Sequence, residues 1–225
     1  DRSLLQGGRA IAARGGQSGR KPRPAVDKGG AVIAIVDTGG ANLASIVNAL
    51  ARLHAQAEVT GDPTRLRTAG RVILPGVGAA PEAARRLAGE LGQAVTSLQV
   101  PVLGICLGMQ LYFDESEEGP ARGLGILPGA VRRMRPPGLT VPHMGWNSVT
   151  STGEPSPLLT GIAEGTHFYF VHSYAVPAGA WVEAACDYGG AVPAVIRKDN
   201  FFGVQFHPER SGPAGAKVLA NFLAL

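Results

Sequence analysis

Cysteine is nearly absent: the chain of 225 residues holds two, Cys106 and Cys186. Two are too few for a disulfide framework, and a chain of this length can build a core without one. That usage fits a reducing compartment, so a cytoplasmic protein is expected. Long apolar runs are missing too, and none approaches the ~20 residues that a membrane helix needs. Residues 1–30 lack the apolar centre of a secretory signal, and serine is scarce there for a transit peptide. No internal repeat is visible.

Charge is sparse outside the N-terminus. The chain carries a net +4, but residues 1–30 hold five Arg and two Lys against Asp1 and Asp27, a net +5 that leaves −1 for the other 195 residues. The basicity belongs to the tail and gives no pointer to nucleic acid. Rich in Gly, Arg and Pro, that tail has too little apolar surface to offset the entropy of ordering. It is expected as a disordered extension over 1–30, with one folded domain over 31–225.

What is present reads as α/β. Residues 31–36, 57–60 and 71–74 are short strands rich in β-branched residues, and 42–53 is a helix with Leu43, Ile46, Val47 and Leu50 on one face. Pro81 opens another helix. Residues 100–105 form a buried strand, followed at once by a helix over 107–113. Strands alternating with helices imply an open, mostly parallel sheet with helices on both faces. From Leu124 the texture becomes largely β, with runs at 124–134, 139–149, 166–174, 181–187, 191–197 and 201–206. An additional antiparallel portion is expected there, with hairpins at 186–190 and 198–200, a turn near Leu158, and a last helix over 214–223.

Between the strand 100–105 and its helix stands only Cys106, bracketed by Gly104 and Gly108. A strand that becomes a helix across one residue holds that residue in a strained conformation, and the glycines remove side chains that would clash. This is a nucleophile elbow with Cys in the Ser position. A sulfur at a helix N-terminus is favoured as thiolate. Far downstream, the strand 201–206 delivers His207-Pro208-Glu209. On an extended backbone, residues two apart point the same way, which sets an imidazole beside a carboxylate. Thiol, imidazole and carboxylate are the three parts of a nucleophilic triad. His143, His167 and His172 match no zinc spacing, so no metal is expected.

Three pieces, Pro75-Gly-Val-Gly78, Gly104-Ile-Cys-Leu-Gly-Met-Gln110 and Gln205-Phe-His-Pro-Glu209, resemble the class I (triad) glutamine amidotransferases. The resemblance spans about residues 31–225. It implies Cys106 as nucleophile, His207 as base and acid, and Glu209 as the carboxylate orienting it. The oxyanion hole would then be backbone N–H of Leu107 and of Val77 or Gly78. Cys106 would attack the glutamine carboxamide, His207 would protonate departing ammonia, and water would clear the thioester, with no cofactor.

Pro142-His-Met-Gly-Trp-Asn147 and Thr166-His-Phe-Tyr-Phe-Val-His-Ser-Tyr174 further resemble the glutaminase subunits of imidazole glycerol phosphate synthases. That implies a heterodimer with a (β/α)8 cyclase in histidine biosynthesis. It also implies that Gly76, Gly108, Gln110, His172, Ser173 and Tyr174 hold glutamine, and that Asn42, Trp146, Asn147 and Arg210 lie toward the partner. Two rivals share the fold. One is a glutaminase serving anthranilate, GMP or pyridoxal phosphate synthesis, against which the 142–147 segment argues. The other is a stand-alone Cys-dependent γ-glutamyl hydrolase, or a silent binding module, the latter opposed by the intact triad. Thr38 and Ala41 depart from the usual first loop, Ala80 replaces an aromatic, and Arg210 replaces Lys; none touches the triad.

Overall fold

A computed structural model of the chain describes residues 32–39, 43–76, 78–119 and 121–225. The expected extension over 1–30, and the expected site residues Asn42 and Val77, lie outside them, as does Ala41.

The N-terminal half alternates as its periodicity requires. It runs β1 (Ile33–Val36), α1 (Ala44–Arg52), β2 (Ala57–Thr60), α2 (Pro63–Thr68), β3 (Arg71–Leu74), α3 (Ala80–Arg86), α4 (Glu90–Thr96), β4 (Val102–Ile105) and α5 (Leu107–Gln110). The remainder is mostly β: β5 (Phe113–Ser116), β6 (Ala121–Arg122), β7 (Leu127–Arg133), β8 (His143–Ser151), β9 (Thr166–His172), β10 (Tyr174–Ala175), β11 (Val182–Asp187), β12 (Ala191–Lys198) and β13 (Phe201–Val204), before α6 (Gly212–Leu223).

One nine-stranded sheet has the order β2-β1-β3-β4-β13-β12-β11-β8-β9. Strands β2, β1, β3, β4 and β13 are mutually parallel, whereas β12, β11, β8 and β9 join by antiparallel pairings. The antiparallel portion therefore continues the parallel sheet instead of forming a separate layer. A second sheet, β10-β7-β5-β6, packs beside it.

Strands β1, β4 and β13 are buried at every position, the mark of a sheet covered on both faces. Alternate residues serve opposite cores. Ile33, Ile35, Ile73, Leu103 and Ile105 pack with Ile46 and Leu50 of α1 and with Val218, Leu219 and Phe222 of α6. Ala34, Val36, Val72, Leu74 and Val102 pack on the other side with Leu66, Ala83 and Val95 from α2, α3 and α4.

Several boundaries differ from the sequence reading. The helix expected over 107–113 is a single turn, closed by the Tyr112 N–H on the Met109 carbonyl. The carbonyls of Leu111 and Tyr112 accept from the N–H groups of Leu124, Ile126 and Leu127 at 2.7–3.0 Å instead of carrying the helix on. Those bonds lead the chain into β5 and β7 and bury Tyr112 and Phe113. The strand expected from 100 begins at Val102, and the run at 139–149 becomes a strand only at His143. The helix expected over 42–53 is described over Ala44–Arg52. Helix α2 was not anticipated, although its Asp62-Pro63 start is a readable cap, with Asp62 Oδ1 accepting the Thr64 N–H at 2.8 Å. Strands β5 and β6 were also missed, being short and largely acidic or exposed.

Candidate active site

The three motifs meet because β3, β4 and β13 are neighbours in the sheet and parallel, so their carboxyl ends share one edge. In such sheets that edge is where ligands bind. The loop after β3 supplies Gly76 and Gly78, the residue after β4 is Cys106, and the turn after β13 supplies His207 and Glu209. All face a cavity of about 400 Å³, also lined by Gln110, Glu118, Pro142, the 171–174 segment and Arg210.

Cys106 is held at φ 51°, ψ −109°, a left-handed conformation rare for a residue with a side chain. The surrounding glycines make it possible. A Cβ on Gly108 would stand 1.9 Å from the Leu74 carbonyl oxygen, and one on Gly76 would stand 1.9 Å from that of Ile105. The elbow thus packs backbone to backbone against the ends of β3 and β4. Gly76 and Gly78 line the cavity, whereas Gly108 lies behind it in this packing.

His207 Nδ1 lies 2.8 Å from Glu209 Oε1, with both side chains more than nine-tenths buried. The Nδ1–H donates to the carboxylate, which leaves Nε2 for the sulfur. The cause of this pairing differs from the one expected. Strand β13 ends at Val204, and Pro208–Arg210 is a turn of 3₁₀ helix, so no extended backbone sets the two side by side. Ser211 holds the turn instead: its Oγ donates to the His207 carbonyl at 2.7 Å and accepts the Tyr169 N–H at 3.0 Å. Burial acts against imidazolium here, but the hydrogen bonds and charges of Cys106 and Glu209 outweigh it and push His207 up to about 10. The other thiol, Cys186, is pushed up to about 12 by burial.

A second set of polar contacts backs the cavity. Gln110 Nε2 donates to the Tyr174 carbonyl and to Gln205 Oε1, both at 3.0 Å, and Gln205 Nε2 lies 3.5 Å from Cys106 Sγ. His172 Nδ1 donates to the same Tyr174 oxygen at 2.8 Å. Two residues facing this site escaped the sequence reading as individuals. Gln205 opens the 205–209 motif, where its neighbours in sequence give it no role of its own. Glu118, in the acidic stretch 114–118, lines the cavity and accepts the Ala80 N–H at 3.3 Å. Burial raises its carboxyl above the ordinary range, with that N–H opposing.

Of the residues expected toward a partner, Arg210 reaches the cavity rim. Trp146 is 57% exposed and meets Tyr169 edge to face, with Met144 beside it at 62%. Asn147 is half-buried, its Nδ2 donating to the Asp187 carbonyl at 2.8 Å. Among the described residues, no group of His, Cys, Asp and Glu is arranged to hold a metal, and no helix is long and apolar enough to cross a membrane.

Comparisons with known proteins agree with this geometry. The imidazole glycerol phosphate synthase subunit HisH of Xanthomonas euvesicatoria pv. vesicatoria is 53% identical over 195 residues, covering 86% of this chain and 97% of the relative. The protein of that name from Xylella fastidiosa strain Temecula1 is 51% identical over the same shares. Among solved structures, PurLQS from Thermotoga maritima superposes with a TM-score of 0.69 at 18% identity, over 86% of this chain and 98% of that one. The glutaminase domain of Trypanosoma brucei CTPS gives 0.61 at 17% identity, over 85% and 93%. At such identities these structures speak to the fold alone. The family described as glutamine amidotransferase class-I matches residues 34–225, and with relatives above 50% identity over nearly their whole length, the chain belongs to that family.

Proposed function

We propose that the chain is the glutaminase subunit of an imidazole glycerol phosphate synthase, hydrolysing glutamine and passing ammonia to a cyclase partner in histidine biosynthesis. One observation carries the reading. Cys106, His207 and Glu209 converge on one cavity in a chain that matches subunits of that name across 97% of their length.

Cys106 is the nucleophile. His207, raised to about 10, already holds the proton beside the sulfur as the sulfur attacks the carboxamide carbon. It delivers that proton to the departing nitrogen, so that ammonia leaves, a γ-glutamyl thioester remains and the imidazole is free to act as base. Water attacks the thioester with His207 as base; the C–S bond breaks and glutamate leaves. Glu209 fixes the imidazole with Nδ1 protonated and stabilises its charge. The Leu107 N–H, first in α5 and without an intrahelical acceptor by position, is one donor to the oxyanion. The loop containing Val77 and Gly78 supplies the other, and Gly78 at φ 100° has the freedom for it.

Substrate selection follows from the charges at the rim. Glu118 is a carboxylate raised by burial, and an incoming α-ammonium would relieve that penalty. Gln110 and the 172–174 segment give neutral hydrogen-bonding groups for the rest of the amino acid. The exposed Trp146 and Met144, with Arg210 at the rim, form the face toward the cyclase, in a cytoplasmic heterodimer. The test is direct. Glutamate release from glutamine is measured for the purified chain with a (β/α)8 cyclase, and for the same pair carrying Cys106→Ser. Turnover that survives the substitution overturns the proposal.

A further inference from the structure

The sulfur has a polar neighbour that the triad does not account for. Gln205 is fully buried just past the end of β13, two residues before His207. Its carboxamide orientation follows from a chain of obligatory roles. The Tyr174 carbonyl oxygen can only accept, so the group facing it at 3.0 Å on Gln110 is the NH₂. That same NH₂ lies 3.0 Å from Gln205, so the Gln205 atom there must accept and is Oε1. The remaining Gln205 group, its NH₂, is therefore the one turned to Cys106 Sγ at 3.5 Å. Backbone anchors the strand beneath it, with the Gln205 N–H bonded to the Ala194 carbonyl at 2.9 Å.

From this arrangement we infer that Gln205 is a further catalytic residue: a fixed neutral donor that stabilises the Cys106 thiolate, with Gln110 as the positioning residue that orients it. The inference rests on Cys106 being the nucleophile. The titratable groups around the sulfur are His207 and Glu209 from the turn after β13, His172 from β9, and Glu118 and Arg210 across the cavity. Gln205 differs from the His and Glu groups in keeping its donor at every pH, and from Arg210 in carrying no charge. That property serves both halves of the reaction. On attack, the sulfur gives its electron pair to the carboxamide carbon and the N–H is released. When water displaces the thioester, the C–S bond breaks, the pair returns to sulfur, and the donor is already in place to receive it. The link to Gln110 also ties a wall of the substrate cavity to the reacting atom, so a displaced Gln110 would free Gln205 to turn its oxygen toward the sulfur.

The test reads the thiol itself. Alkylation of Cys106 by iodoacetamide is followed from pH 5 to 10 in the full chain, with peptide mapping to separate Cys186. A hydrogen bond to an ionised group is strong enough to move a pKa by about one unit. Gln205→Met is expected to raise the apparent thiol pKa by about that much and slow alkylation near pH 7 about tenfold, with the high-pH plateau unchanged. Gln205→Glu keeps the shape but faces the sulfur with a carboxylate, and should raise the thiol pKa further. A wild-type profile in either folded variant overturns the inference. The unsubstituted chain gives an independent reading: the Gln205 side-chain amide NMR signal should follow the Cys106 titration and lose that response in Cys106→Ser. An amide signal blind to the thiol overturns the inference however the variants fold. Glutamine hydrolysis persisting in Cys106→Ser would instead remove the nucleophile assignment beneath it.

Discussion

His143 Nδ1 lies 2.9 Å from His172 Nε2, and the contact fixes the protonation of both rings. His172 Nδ1 faces the Tyr174 carbonyl, so it carries the proton and Nε2 must accept from His143. His143 Nε2 then accepts from Asn147 Nδ2 at 3.3 Å. The Asn147 amide cannot turn over, because its Nδ2 also serves the Asp187 carbonyl and its Oδ1 takes the Ser148 N–H at 2.8 Å. Both imidazoles are therefore neutral links between the β8–β9 hairpin and the cavity wall.

This relay predicts how stability depends on pH. Burial is the main cause lowering His172 to about 4, with the Tyr174 carbonyl opposing and the charges of His143 and His207 adding; burial also lowers His143. Above pH ~6.5 these rings are neutral in folded and unfolded chains alike and contribute nothing. Between 6.5 and 4 the unfolded chain takes up protons that the folded one refuses, so stability falls with pH, by up to roughly 3 kcal/mol from His172. His207 has the opposite sign. Its folded value near 10 gives stability that is present below 6.5 and lost as pH rises toward 10. Melting temperature measured from pH 4 to 10 should fall on both sides, and His172→Gln should flatten the acid limb. An acid limb of unchanged slope would contradict the neutral relay.

The two thiols should behave oppositely. Cys106 faces the cavity beside an imidazole, whereas burial holds Cys186 protonated. A glutamine-like electrophile such as diazo-oxo-norleucine should modify Cys106 and spare Cys186. Cys106→Ser should lower kcat on the order of 10⁴–10⁶-fold, as removing a triad member does elsewhere, while Cys186→Ser changes it little. Peptide mass mapping decides the matter, and modification at Cys186 alone would sink the assignment.

Glu118 should act on binding more than on chemistry. If its carboxylate meets the substrate α-ammonium, Glu118→Gln raises KM about tenfold or more and leaves kcat within a few-fold. The loss should vanish for a glutamine analogue lacking the α-amino group. An equal loss with that analogue would mean that Glu118 merely props the Ala80 backbone through its 3.3 Å contact.

Sequence reasoning reached the fold class and most strands, and picked out the three motifs whose residues line one cavity, because each rests on local signals. Continuous apolar runs mark β1, β3 and β4, and glycines bracket the elbow. Its failures were tertiary. The helix after Cys106 does not run on past Gln110. The carbonyls of Leu111 and Tyr112 that would carry it further accept instead from Leu124, Ile126 and Leu127, which no periodicity in 107–113 reveals. His207 meets Glu209 through a 3₁₀ turn clamped by Ser211, although alternation along a strand also brings them together on paper. Glu118 and Gln205 acquire meaning only from what faces them across the cavity.

The last prediction is that the isolated chain is a poor glutaminase and a good one only in complex. Ammonia released to water is protonated and lost to a cyclase, so hydrolysis serves the reaction only when an acceptor is in place. If the loop after β3 supplies the proposed oxyanion donor, it has the parts of a switch. Gly76 lies pinned against the Ile105 carbonyl, while Gly78 is exposed and at φ 100°, a conformation that lets a neighbouring peptide flip at little cost. One oxyanion donor is worth about 10²–10³ in rate, so a single flip supplies most of an on/off ratio. Under the proposed function, the bias would come from contacts that differ between the two loop states, made by a cyclase and its bound ribotide near Trp146 and Arg210. Glutamate release should therefore rise by about that factor from chain alone, to chain with cyclase, to chain with cyclase and ribotide. Gly78→Ala, strained at that φ, should compress the ratio. Full turnover by the isolated chain would refute the gate and favour a free glutamine hydrolase.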